Sequence, residues 1–224
     1  MLLGVAMSVY AQPPRILQIY RDHLKPGSST VYRKIEEDAA RVALDLGFPH
    51  PYLAVESLNG PKEVWFLNGW TSPADQKQVV DDYAKNAQLI AAFERIAKRK
   101  AALALEPVEA FANYRQDLSR GAPWSLGLGR FLVITVTQSE RPIEGTVFES
   151  ADGDFPTGGY APRVAAGTQF LVTPAQTRGE ANAKAAARGS DTIVFAVRPS
   201  WSLPAKEWVT SDPEFWKPNS PMPK

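Results

Sequence analysis

Apolar residues recur at every third or fourth position in two stretches of the chain, which is the period of an amphipathic helix. The first stretch lies between Ser28, a good helix N-cap, and Gly47, which favours a helix end. The second begins at Pro73, a residue that the first helical turn accommodates, and is predicted to continue as one long helix towards Pro107. The apolar positions are Val31, Ile35, Ala39, Val42 and Leu46 in the first stretch and Val79, Tyr83, Ile90, Phe93 and Ala97 in the second.

Stretches rich in β-branched and aromatic residues flank both predicted helices and indicate strands. These stretches cover 15–24, 52–58, 63–70 and 108–114. Asn59-Gly60, a hairpin signal, separates the middle two. The order β-α-β-β-α-β predicts a four-stranded antiparallel sheet with both helices on one face. We therefore expect a ferredoxin-like domain over residues 15–115.

The second half of the chain ends with the same strand–helix–strand pattern. Strands are expected at 131–137, 146–149, 168–173 and 191–198, and a helix at 179–188. A glycine- and proline-rich loop after Pro142 replaces the first helix. The prediction is an α+β fold of tandem ferredoxin-like βαββαβ halves, in which residues 131–216 are a degenerate second half and the two form one α/β barrel.

The segments outside these halves follow from the same boundaries. Residues 116–130 are interpreted as a linker and 217–224 as a loose tail, and the second half ends in a strap that contains Trp201, Trp208 and Trp216. The alternative to an internal pair of halves is a homodimer of first halves that the rest of the chain decorates. A monomer with pseudo-dimeric halves and a homodimer both stay open on this pattern.

The N-terminal segment has the composition of a secretory signal peptide. Residues 1–11 are a short apolar run that ends in Val9-Tyr10-Ala11, a small-residue cleavage pattern. We predict that 1–12 is a signal peptide and that the protein is exported, to a periplasm or out of the cell; the alternative is an ordinary apolar strand or helix. No other run is long and apolar enough for a transmembrane helix, so no membrane insertion is expected after cleavage.

Composition narrows the classes of site that the chain can hold. Lys and Arg total 25 against 24 Asp and Glu, a formal net charge of +1, so we expect no nucleic-acid partner. The chain has no cysteine, which excludes thiolate metal sites, a cysteine nucleophile and disulfides. Its two histidines lack the helical His/Glu spacing of metal sites, and we predict no metal and no cofactor.

Two short motifs carry a resemblance to a known superfamily. Leu24-Lys25-Pro26-Gly27 closes the first strand, and Phe66-Leu67-Asn68-Gly69-Trp70-Thr71-Ser72 precedes the second helix. In these motifs residues 15–115 resemble the dimeric α/β-barrel superfamily, which includes antibiotic biosynthesis monooxygenases and NIPSNAP-like proteins. The resemblance implies the barrel fold and a substrate cavity lined by the region around Trp70.

The third strand supplies most of the candidate ligand-binding residues. Alternation places Val64, Phe66, Asn68 and Trp70 on one face, which forms the wall of a pocket if it lines the barrel interior. Trp70 would then offer apolar area and one donor, and Asn68 a donor and an acceptor. The alternative is that Trp70 is simply core and that backbone groups satisfy Asn68.

His23 and Asn68 are the candidates for a catalytic role. Arg21 and His23 share a face of the first strand, and Glu56, a further candidate ligand-binding residue, lies on the second. A histidine next to a carboxylate can accept a proton near neutral pH. A surface or hydrogen-bonded structural role for His23 is the alternative.

These features leave three functions open. The first is an exported α/β-barrel protein that binds a small apolar or aromatic molecule. The second is a cofactor-independent monooxygenase or isomerase that uses Asn68, Trp70 and His23, and the third is a protein-interaction module that uses the tryptophan strap. An apolar cavity next to Trp70 would favour the first two, whereas a filled barrel with an exposed tryptophan patch would favour the third.

Overall fold

Eight strands and five helices occur in the part of the chain that the computed structural model describes, residues 12–105, 107–138, 144–150 and 164–217. The strands are β1 (Ile16–His23), β2 (Leu53–Ser57), β3 (Glu63–Trp70), β4 (Val108–Tyr114), β5 (Phe131–Thr137), β6 (Thr146–Ser150), β7 (Gln169–Ala175) and β8 (Thr192–Val197). The helices are α1 (Ser29–Asp45), α2 (Pro73–Ala84), α3 (Ala87–Lys100), α4 (Arg178–Ala186) and α5 (Lys206–Ser211).

Some predictions fall outside these ranges. Of the proposed signal peptide only Gln12 lies within the described ranges, and of the proposed tail only Lys217. Residues 151–163 of the glycine-rich loop lie outside them too. Within the described ranges, no helix combines the length and the apolar character that crossing a bilayer requires.

The eight strands form one closed antiparallel barrel, in the order β1-β3-β2-β8-β5-β7-β6-β4. The α+β class and the barrel are thereby confirmed. The first four strands lie side by side as β4-β1-β3-β2, the order that a ferredoxin-like β-α-β-β-α-β chain produces. Closure gives every strand two neighbours, so the barrel has no unpaired edge.

The two ends of the barrel differ in what covers them. At one end β1, β2, β5 and β6 begin, and here the strap (residues 201–216) and the stretch 116–130 pack across the opening. Trp124, Phe215 and Trp216 join the barrel core at this strap end. The opposite end, where β3 begins at Glu63, is called the Glu63 end below. The stretch interpreted as a linker therefore contributes a fully buried tryptophan to the core.

The face of β3 that would form a pocket wall if it lined the barrel interior lies outside the barrel. Trp65 and Leu67 pack in the barrel core, whereas Val64 and Phe66 pack in an outer cluster with Tyr32 of α1. The condition under which Phe66, Asn68 and Trp70 would line the barrel interior is therefore not met. Both faces of β3 are apolar because helices cover the outside of the sheet, and alternation alone does not say which face is inner.

Large side chains fill the barrel interior. Trp65 lies 4.8 Å from Phe195 and 6.2 Å from Phe170, measured between ring centroids. Phe148 lies 6.1 Å from Trp124 in the same cluster. Packed aromatic rings of this kind leave a small barrel filled rather than hollow.

The long second helix predicted from the sequence is two helices. Its continuity ends at Lys85, and Asn86 caps α3 by accepting a hydrogen bond from the Leu89 backbone at 3.1 Å. The buried residues of α3 are Leu89, Ala92 and Ile96, which is a different stripe from the predicted one. In the first helix Ile35 and Ala39 are buried as predicted, but Tyr32 is buried instead of Val31, which is 56% exposed. Gly47 ends that helix region with φ +68°, as expected.

Candidate functional site

An open pocket of about 190 Å³ lies at the strap end of the barrel. It is lined by Gln12, Pro14, His50, Pro51, Gly69, Ser125, Leu126, Ala205 and Trp208. These residues come from the start of β1, the connector before β2, the end of β3, the stretch 116–130 and the strap. No lining residue except His50 can carry a charge, so the lining offers no fixed counter-charge to an ion.

His50 is the aromatic residue that links this pocket to Trp70. Its imidazole stacks on the Trp70 indole with centroids 3.9 Å apart and planes 12° from parallel. Trp70 is fixed from behind, because its Nε1 donates to Gln18 Oε1 at 3.1 Å. The sequence does not single out His50, because a histidine between two prolines indicates a rigid connector.

His50 is held in its neutral form. Burial lowers the pKa of the imidazole, and the charge of Asp75 and a hydrogen bond to the Gly69 carbonyl only partly oppose this. The Nε2 atom is buried and has no hydrogen-bond partner within the described ranges. A neutral imidazole flanked by an indole gives the pocket a flat, weakly polar wall.

Two glycines shape the pocket by letting rings and backbone approach closely. A Cβ on Gly127 would lie 2.3 Å from Trp208 Cγ, and the residue has φ +83°. A Cβ on Gly69 would lie 2.9 Å from Pro14 Cβ. Any larger residue at either place would displace the wall opposite, so both positions need glycine.

Ser125 supplies a polar group to the otherwise apolar lining. The residue is 8% exposed and is one of the residues that line the pocket. A hydroxyl can donate or accept, so it suits a ligand with one polar atom.

The structure does not bring the sequence-predicted pocket residues together. Phe66 packs outside the sheet, 6.1 Å from the Tyr52 ring, and Asn68 is half-buried on the same outer face opposite Gln18. Trp70 lies behind His50 rather than in the pocket wall. Whether Phe66, Asn68 or Trp70 contacts a ligand stays a prediction.

Glu56 lies in a buried ion-pair cluster on the outer face of the barrel. Its Oε2 accepts from Arg198 Nε at 2.8 Å, and its Oε1 accepts from Arg33 Nη2 at 2.7 Å. Both carboxylate oxygens are thus occupied by guanidinium groups. Burial lowers the pKa of Arg198, against the raising effect of Glu56. The cluster explains Glu56 as a bridge between β2 and the end of β8.

His23 meets a different carboxylate from the one considered in the sequence. Its Nδ1 lies 3.2 Å from Glu63 Oε1 at the Glu63 end, and Glu56 is not its partner. Arg21 reaches the same carboxylate, with Nη2 3.1 Å from Oε2. The signal that could have found this pair is strand register, since His23 lies directly opposite Glu63 in the β1–β3 pair.

A second buried ionic network joins α1 and α3 to the outer face of β1. Lys100 Nζ lies 2.9 Å from Asp22 Oδ2 and 2.8 Å from Glu36 Oε1, and the Tyr32 hydroxyl donates to Asp22. Burial raises the pKa of Tyr32 well above its ordinary range, with Glu36 and Asp22 adding to the effect. Within the described residues no group of three or more His, Cys, Asp or Glu side chains is arranged to hold a metal ion.

Comparisons with known proteins add no family. No protein-family model matches the chain, and no curated protein matches it. Among solved structures, a candidate chlorite dismutase is 11% identical, with a TM-score of 0.39, over 85% of this chain and 97% of that one. A mutant chlorite dismutase from Candidatus Nitrospira defluvii, in complex with cyanide, is 8% identical, with a TM-score of 0.38, over 84% and 92%. Identities and TM-scores this low carry no argument about function.

Proposed function

We propose that this protein binds a small, uncharged, largely apolar or aromatic molecule in the strap-end pocket. The observation that carries the proposal is an open, mainly apolar cavity beside Trp70, walled by a neutral His50 and by Trp208. Flat aromatic walls with one hydroxyl, that of Ser125, suit a ligand that has a planar apolar body and one polar atom.

The volume of the pocket limits the size of this ligand. Drug-sized ligands occupy cavities of roughly 300–1,000 Å³. A pocket of about 190 Å³ therefore accepts a small molecule with one ring, two fused rings or a short chain. An ionised group would lose hydration without finding an opposite charge among the lining residues, so the uncharged form of a weak acid or base should bind better.

The proposal also includes inferences about the two halves of the barrel, the oligomeric state and export. The last four strands follow the order β8-β5-β7-β6, which repeats β4-β1-β3-β2 position by position and supports tandem ferredoxin-like halves of the dimeric α/β-barrel kind. Because the barrel closes within one chain, a monomer with pseudo-dimeric halves is our preferred state.

Export, with cleavage near residue 12, is proposed from the apolar N-terminal run alone.

The tryptophan strap is a weaker basis for an interaction module. Trp201 is 2% exposed and Trp216 is 3% exposed, and Trp208 packs against Gly127 in the pocket wall. The three rings therefore form no exposed patch of the kind that marks a docking surface.

The test uses phenol and indole as probes and benzoate as the charged comparison. We expect millimolar phenol or indole to shift the NMR signals of Gly69, Leu126 and the Trp208 indole N–H, and benzoate to shift them less. Trp208→Ala should weaken binding by about tenfold or more, as loss of an aromatic anchor does. Val209→Ala, at the exposed neighbouring position of α5, should leave binding unchanged.

Two outcomes in the same NMR spectra would contradict the proposal. No shift in the pocket with either uncharged probe, or equal affinity in wild type and Trp208→Ala, would refute ligand binding here.

A further inference from the structure

The Glu63 end of the barrel holds a second constellation, separate from the pocket. His23 is opposite Glu63 and Arg21 is opposite Trp65 in the β1–β3 register. All four positions lie on the inner face, because Leu17, Ile19, Trp65 and Leu67 alternate into the barrel core. The side chains of His23 and Arg21 are 30% and 16% exposed, so solvent reaches both at this opening.

Glu63 is a buried carboxylate fixed from several directions. It is 2% exposed, accepts from Trp65 Nε1 at 2.5 Å and lies 3.1 Å from Arg21 Nη2. Its backbone N–H donates to Ser57 Oγ at 2.9 Å. Arg21 supplies a counter-charge and Trp65 a hydrogen bond to this carboxylate, so its burial is compensated without a histidine.

His23 adds a feature that packing does not require. One ring nitrogen, Nδ1, faces Glu63 at 3.2 Å, and 30% of the side chain is exposed at the barrel opening. A carboxylate on one nitrogen holds the ring in a fixed orientation and leaves the other nitrogen to exchange a proton. The Arg21 guanidinium, 4.5 Å from the Trp65 ring centroid, contacts the same carboxylate as His23.

We propose that His23, Arg21 and Glu63 form a proton-transfer site for small carbonyl compounds. His23 Nε2 removes a proton from the carbon next to the carbonyl, so a C–H bond breaks and an N–H bond forms. The electron pair moves to the carbonyl oxygen, where the Arg21 guanidinium stabilises the enolate. The imidazolium then returns the proton to the same or a neighbouring carbon, and the step needs no oxidant or cofactor. His23 and Arg21 are catalytic residues here, and Glu63 is a positioning residue.

The experiment measures hydrogen–deuterium exchange at the methyl groups of pyruvate and acetone by NMR, with the full chain in deuterated buffer near neutral pD. Wild type should accelerate exchange over buffer. His23→Gln should remove the protein-dependent rate by about 100-fold or more, the usual contribution of a general base. Arg21→Lys should lower the rate, since an ammonium lacks the planar fork of the guanidinium. Arg41→Lys, at an exposed ion pair of α1, is the matched control and should keep the full rate.

The role of Glu63 is tested by comparing kcat with KM in two variants of the folded protein. Glu63→Gln should lower kcat with little change in KM, and Glu63→Asp should recover part of kcat because it restores the charge. The His23→Gln variant changes a partly exposed side chain and keeps the test independent of the buried carboxylate. Exchange in wild type no faster than in buffer for either probe, or His23→Gln within about twofold of wild type, overturns the proposal.

Discussion

At the scale of single residues, the most consequential groups outside the barrel are the buried charges between α1, α3 and β1. Asp22 and Glu36 are each 3% exposed, and Lys100 is the cation that contacts both. The contact of Lys100 with Glu36 is an ion pair without an aligned hydrogen bond, since Glu36 Oε1 has no hydrogen-bond partner. Burial acts to lower the pKa of Lys100, but the negative charges of Glu36 and Asp22 have the larger effect, so the pKa is raised.

Replacing this lysine should destabilise the protein strongly. Lys100→Met keeps the apolar stem but leaves two buried carboxylates without a cation. We expect the free energy of unfolding to fall by about 3 kcal/mol, the lower part of the range for breaking a buried ion pair, because the side chain is 19% exposed. Urea unfolding measures this. Lys98→Met, at an exposed position of the same helix, is the control, and an equal loss in both variants would contradict a special role for Lys100.

Glu36 should make stability depend on pH. Burial raises the pKa of its carboxyl above the ordinary 4.5, against the lowering effect of Lys100, so the folded state binds the proton more tightly than the unfolded chain. Stability from this group is therefore lost as the pH rises from about 4.5 through the raised value. Glu36→Gln should gain stability relative to wild type across that window, whereas Glu37→Gln, exposed on the same helix, should track wild type. Urea midpoints at several pH values measure the stability difference between Glu36→Gln and wild type. A difference that does not grow as the pH rises would contradict a raised pKa for Glu36.

At the scale of elements, the break between α2 and α3 is fixed by one residue. Asn86 accepts from the Leu89 backbone and donates its Nδ2 to the Leu46 carbonyl at 2.9 Å. The same side chain therefore caps α3 and ties it to the end of α1. A capping asparagine stabilises a helix start because it satisfies a backbone N–H that has no partner in the helix.

Removing this cap should cost more than an ordinary surface change on the same helix. Asn86→Ala should lower the free energy of unfolding by about 1–2 kcal/mol, since it loses the cap and a bond to α1. Gln88→Ala, an exposed change in the first turn, should have little effect. Thermal unfolding followed by circular dichroism compares the two, and equal midpoints would show that the tie to α1 contributes nothing.

At the scale of the whole molecule, the two halves of the chain close one barrel through two seams. The seams are β2–β8 and β4–β6, each with three paired residues in register. Salt bridges reinforce both, Glu56–Arg198 at the first and Arg115–Glu149 at the second, the latter at 2.7 Å. Neither half can leave without exposing the edges and the aromatic core of the other.

We therefore expect the halves to unfold together. Tryptophan fluorescence, which reports mainly on the barrel core, and far-UV circular dichroism, which reports on helices and strands, should give coincident transitions in urea. Two separated transitions would show that the seams do not couple the halves.

Much of the secondary structure was predictable because its signals are local. The strands and the first helix lie within a few residues of their predicted bounds, and Gly47 and Gly60 have the positive φ that their turns require. The sequence does not predict the split of the second helix, although Asn86 is a capping residue, because apolar residues recur at helical spacing on both sides of it. In the candidate sites, the sequence singles out His23 but not its partner Glu63, and it does not single out His50.

The sequence by itself determined where the chain turns, where helices and strands form, and that the product is an α+β barrel, since these depend on neighbours along the chain. Only the tertiary structure decided that Trp65 faces inwards and Phe66 outwards, that Trp124 fills the strap end, and which carboxylate His23 meets. Those outcomes depend on contacts between residues far apart in sequence. When both faces of a strand are apolar, the inner face is the one whose side chains fill the available volume, and that volume exists only once the barrel has closed.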